Sequence, residues 1–140
     1  MLTRNKTAIR FGGLLVTLAL AGAATAADVK VTLSGGEEVP AVTTSASGTG
    51  TITIKDDKTV TGSVTTKGIV GTAAHIHLAP TGKNGPPVIT LTKKSENEWT
   101  VPEGSKLTDE QYAAYKAGSL YVNVHSAANK GGEIRGQLKP

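Results

Sequence analysis

Residues 73–79 read Ala-Ala-His-Ile-His-Leu-Ala, and residues 120–126 read Leu-Tyr-Val-Asn-Val-His-Ser. In each, every second residue is apolar, which is the pattern of a β-strand with one face on a core. If Ala74, Ile76 and Leu78 point inward, His75 and His77 project together from the other face. By the same parity Leu120, Val122 and Val124 point inward, and Tyr121, Asn123 and His125 outward.

The same alternation extends in both directions along the chain. Val29, Val31 and Leu33 alternate with polar residues up to Gly35-Gly36. Residues 48–55 (GTGTITIK) and 59–66 flank Asp56-Asp57-Lys58, a turn sequence that predicts a hairpin. Further strands are expected at 88–92, around Trp99 and at 133–139, where Ile134, Gly136 and Leu138 face inward and Glu133, Arg135 and Gln137 outward. One helix is expected over 108–117: Thr108 is its N-cap, Gln111 completes a capping box and Gly118 ends it. Seven or eight short strands at this spacing predict an all-β antiparallel sandwich or barrel with one short helix. Its core should contain Val31, Ile52, Ile54, Val64, Ile76, Val122, Val124 and Ile134.

The N-terminal stretch has a different character. Arg4, Lys6 and Arg10 precede an apolar run, Phe11 to Ala21, and Ala24-Thr25-Ala26 is a small-residue cleavage site. This predicts a signal peptide at 1–26 and a mature domain at 27–140, either periplasmic or secreted. The apolar run is too short to span a bilayer. Its removal takes three of 15 basic residues and none of 11 acidic ones, leaving a formal +1. A nucleic-acid partner is therefore not expected. With no cysteine, an exported domain of this size must be held by packing alone.

No sequence motif supports an enzyme. Gly48-Thr49-Gly50 leads into a strand, and Gly35-Gly36 lacks the residues of a phosphate loop. Ser126 follows His125 directly, so the two side chains lie on opposite faces. What remains is the set of three histidines. If the strands carrying them neighbour each other, His75, His77 and His125 converge on one sheet face, a workable imidazole set for copper or zinc. Glu133, Arg135 and Asn123 fall at its edge, where a carboxylate could be a fourth ligand or orient an imidazole. Two ordinary explanations stand beside this one. The histidines can form a solvated or hydrogen-bonded polar face, and Glu133 with Arg135 can form an exposed ion pair.

Taken in order, Leu33-Ser34-Gly35, Glu38-Val39-Pro40, Ala74-His75-Ile76-His77, Asn84-Gly85-Pro86, Tyr121 to His125 and Gly131 to Leu138 resemble the CHRD domain, the module repeated in chordin. The resemblance implies an extracellular or periplasmic β-sandwich of Greek-key type, immunoglobulin-like or similar to Cu,Zn superoxide dismutase. It also implies a non-catalytic module that binds a protein or matrix partner, the alternative to metal binding. The His-x-His strand further resembles the copper-binding strand of the dismutases. That likeness carries over only to His75 and His77; with three histidines, no cysteine pair and no second histidine cluster for zinc, dismutase activity is not expected even if copper binds.

Overall fold

The computed structural model describes residues 26–140. The expected leader lies outside these residues except for Ala26, which opens the first strand. Nine strands form one antiparallel sheet: β1 (Ala26–Ser34), β2 (Ser47–Lys55), β3 (Val60–Lys67), β4 (Gly71–Leu78), β5 (Pro87–Thr90), β6 (Thr92–Ser95), β7 (Glu98–Thr100), β8 (Leu120–Ser126) and β9 (Ile134–Leu138). Their order is β5-β4-β8-β9-β1-β2-β3-β7-β6. The strands at the two ends of this order are consecutive in the chain, with Leu91 alone between them. The Leu91 amide donates to the Ala74 carbonyl on β4 (2.9 Å), while β6 pairs with β7. One extended segment therefore joins both edges, and the sheet curls nearly into a barrel.

Burial follows the alternation. All eight residues expected in the core are buried, with Ile52, Val64, Val122, Val124 and Ile134 fully so. The hairpin turns at Asp56-Asp57, and Lys58, which follows, adopts φ 72°. The helix, α1 (Asp109–Lys116), carries the expected capping box: the Gln111 amide donates to Thr108 Oγ1 and the Thr108 amide to Gln111 Oε1. Trp99 and Tyr115 are packed into the core. Strand β6 was not foreseen, because Thr92-Lys93-Lys94-Ser95 is exposed throughout and has no apolar period to read.

The outer face of β4, β8 and β9 differs from the solvated face that alternation alone allows. Tyr121, Asn123 and Arg135 are 2%, 2% and 1% exposed, as deeply buried as the core. Segments 79–86 and 129–132 hydrogen-bond to side chains on this face, and Asn84 donates onward to the Val39 carbonyl of a third. The barrel thus has a second, polar interior between its wall and its loops.

Candidate metal centre

Strands β4 and β8 are direct neighbours, paired so that His75 faces Asn123, His77 faces Tyr121 and Ala73 faces His125. His125 is thus diagonal to His75, and parity puts all three imidazoles on the outer face. Each offers one nitrogen, and the three nitrogens lie within 4.8 Å of one another. A metal at the usual Zn–N distance of ~2.0–2.1 Å holds tetrahedral ligands ~3.4 Å apart, so closing the trio on an ion needs side-chain shifts of about 1 Å.

Backbone carbonyls orient two of the rings. His77 Nδ1 lies 2.9 Å from the Gly85 carbonyl and His125 Nδ1 lies 2.7 Å from that of Lys130. A carbonyl only accepts, so both rings carry their proton on Nδ1 and present an Nε2 lone pair. This is the carbonyl–imidazole support that metal-binding histidines commonly have. His75 Nδ1 lies 2.9 Å from His125 Nε2 and donates to it. An ion would replace this bond. His77 Nε2 is buried without a hydrogen-bond partner, so its lone pair is free for an ion.

The sequence places a glycine where His77 needs its support. A Cβ at Gly85 would overlap the Leu78 carbonyl, so only glycine lets segment 79–86 approach β4 this closely. The Gly85 amide donates to the Tyr121 hydroxyl (3.2 Å), and the Tyr121 ring stacks on His77 at 4.8 Å and 2°. Arg135 comes from β9, on the other side of β8, and its guanidinium lies 3.4 Å from the centre of the Tyr121 ring. That guanidinium donates to the Lys83 and Pro80 carbonyls and to Gln137 Oε1 (2.8, 3.2 and 3.2 Å), holding the same segment down.

Glu133 and Arg135 are therefore not an exposed ion pair; both are buried and each has other partners. The Glu133 carboxylate accepts from Ser126 (2.7 Å), Thr44 (2.9 Å) and Asn129 (3.2 Å). Its pKa is held below 4.5, chiefly by the Ser126 hydroxyl. Among the described residues no carboxylate joins the three histidines as a metal group. Asn123 lies within the cluster, opposite His75, with Nδ2 donating to the Gly131 carbonyl (3.3 Å).

Burial lowers the pKa of His75, and the neighbouring His125 and His77 add to the effect. Burial also lowers that of His77, against its hydrogen bond to Gly85. Both rings therefore favour the neutral, ligating form.

Sequence reasoning did not single out Glu38. It is 6% exposed, with Oε1 unpartnered, beside Asn123. Burial raises its pKa from 4.5 to about 7, against the nearby Arg135 charge and the Asn123 hydrogen bond. The local sequence offered only an acidic pair before Val39-Pro40, and the covering loops that desolvate it are distant in the chain. Because the unfolded chain loses this proton first, the metal-free protein loses stability as pH rises from about 4.5 to about 7. The lowered imidazoles act oppositely, costing stability as pH falls below 6.5. Glu38→Gln is expected to stabilise the metal-free protein on the order of 2–3 kcal/mol at pH 8 and hardly at all at pH 4. Both proteins carry the same histidines, so denaturant titration at the two pH values isolates Glu38. Equal gains at both would refute its buried titration.

The residues of this polar interior coincide with the ordered motifs of the sequence, from Glu38, His75 and His77 through Asn84-Gly85 and Asn123 to Arg135. None of the comparisons shows the likeness to copper–zinc superoxide dismutases expected from the His75–His77 strand. No match was found in comparisons with curated proteins or with solved structures. The family model of the CHRD domain matches residues 29–138, from the first strand to the last. The chain belongs to the CHRD domain family.

Proposed function

We propose that this protein is an exported CHRD-domain protein, periplasmic or secreted, that binds a metal ion, copper foremost or zinc, through His75, His77 and His125. The observation that supports this reading is the unpartnered, buried Nε2 of His77 in a trio of nitrogens within 4.8 Å, with the ring already in the ligating tautomer. Imidazole suits both Cu(II) and Zn(II).

The role is binding, meaning storage, carriage or buffering of the ion, rather than catalysis. In support, Ser126, the one hydroxyl next in sequence to a site histidine, is engaged as a donor to the Glu133 carboxylate. Family membership favours a second reading, a protein- or matrix-interaction module.

Titration with Cu(II) and Zn(II) decides between them. One ion per chain is expected in the wild type and none in the triple His75→Ala, His77→Ala, His125→Ala variant. Protons compete for imidazole, and burial lowers the pKa of His75 and His77, so affinity should hold at pH 6.5 and fall only as pH drops below it. A wild type that binds neither ion, or a triple variant of unchanged affinity, would leave the interaction module as the better reading.

A further inference from the structure

We infer that the side-chain carbonyl of Asn123 is the fourth donor of the histidine site, making it a three-nitrogen, one-oxygen centre that selects a doubly charged ion over Cu(I). This deepens the metal-binding reading and rests on it.

Asn123 occupies the middle of the trio: His125 lies two residues along the same strand, His75 directly opposite, and His77 on the diagonal. Neighbours in these relations have Cβ atoms roughly 5–8 Å apart, so short side chains on one face converge between them. The orientation of the amide is set by its environment. Nδ2 donates to the Gly131 carbonyl, which only accepts, so the nitrogen must be on that side. Oδ1 is then the remaining atom, and it is buried without a partner although Asn123 is only 2% exposed.

His77 Nε2, on the same face, is orphaned in the same way, and its lone pair is fixed by the bond from Nδ1 to Gly85. With the His77 ring neutral, the form that its burial favours, no proton on Nε2 bridges it to Asn123, and two neighbouring buried acceptors that each lack a donor are costly unless something electropositive satisfies both. A metal ion ligated by the three histidines would do so. Glu133 cannot take the fourth position, because its carboxylate is held by Ser126, Thr44 and Asn129. An amide oxygen is a hard donor, which suits dications and adds little for Cu(I), a soft ion satisfied by fewer ligands.

The test compares wild type, Asn123→Leu and Asn123→Asp, each loaded with Cu(II), Zn(II) and Cu(I) in competition with chelators. Asn123→Leu keeps the bulk but has no oxygen. It is expected to bind Cu(II) and Zn(II) about 10–100-fold more weakly, with Cu(I) affinity unchanged and an altered copper hyperfine splitting in electron paramagnetic resonance. Asn123→Asp also loses the bond to Gly131 but keeps an oxygen donor, so it should bind dications at least as tightly as wild type. Circular dichroism of the metal-free variants checks that each folds. If Asn123→Leu is unfolded, the Asn123→Asp spectrum and its Cu(II)-to-Cu(I) affinity ratio carry the test. Wild-type affinity and spectrum in a folded Asn123→Leu would overturn the inference while leaving the histidine site intact, and would mean that a buried water satisfies Oδ1. Failure of the wild type to bind any ion would overturn the metal-binding reading itself.

Discussion

His77→Ala is expected to weaken Cu(II) binding by about 100-fold or more, whereas Lys58→Ala, in the β2–β3 turn, should leave it unchanged. His77 is the most buried of the three histidines at 8% exposure, and its Nε2 is the one ligating nitrogen with neither solvent nor hydrogen-bond partner. Its removal takes away a donor already oriented by Gly85 and Tyr121, so no other imidazole can replace it without moving a strand. A purely structural role predicts the reverse pattern, in which the variant changes in stability while ion affinity in the remaining cluster stays the same. Isothermal titration with both variants separates the two. An affinity within a few-fold of wild type would count against the site.

Arg135→Ala should destabilise the fold by about 3–5 kcal/mol, with a fall in Tm of more than about 10 °C. The guanidinium is 1% exposed, and three oxygens accept from it at 3.2 Å or less. Truncation removes the charged donor from these three acceptors, leaves a cavity where the buried guanidinium lay, and strips the cation from the Tyr121 ring. Arg135→Lys is expected to recover less than half of the loss, because an ammonium group cannot reproduce the planar fork that reaches Lys83, Pro80 and Gln137 together. The damage should extend to the metal site, since segment 79–86, which Arg135 holds, also carries the Gly85 carbonyl on His77. A loss below about 1 kcal/mol in denaturant titration would show that the covering segment does not depend on this residue.

These two residues also mark how far the sequence could be read. The facing of His75, His77 and His125 follows from parity alone: each alternates with residues such as Ile76 and Val124 that have to be buried, and a strand offers only two faces. The hairpin at Asp56-Asp57, the capping box at Thr108 and Gln111, and the core positions were legible for the same reason, because each depends on neighbours within a few residues. Strand β6 was not legible, since its place comes from closing the sheet and not from any period of its own residues.

Local alternation by itself thus determined which face of each strand carries the histidines and which carries the core. Tertiary structure alone decided that β4 lies beside β8, that segments 79–86 and 129–132 fold down over their outer face, and that His77, Tyr121 and Asn123 on this face are consequently buried. Parity distinguishes the two sides of a strand but says nothing of what covers either one. Loops brought in from distant parts of the chain desolvate Glu38, Asn123 and Arg135, turning a row of outward polar residues into a buried network with fixed donors and acceptors.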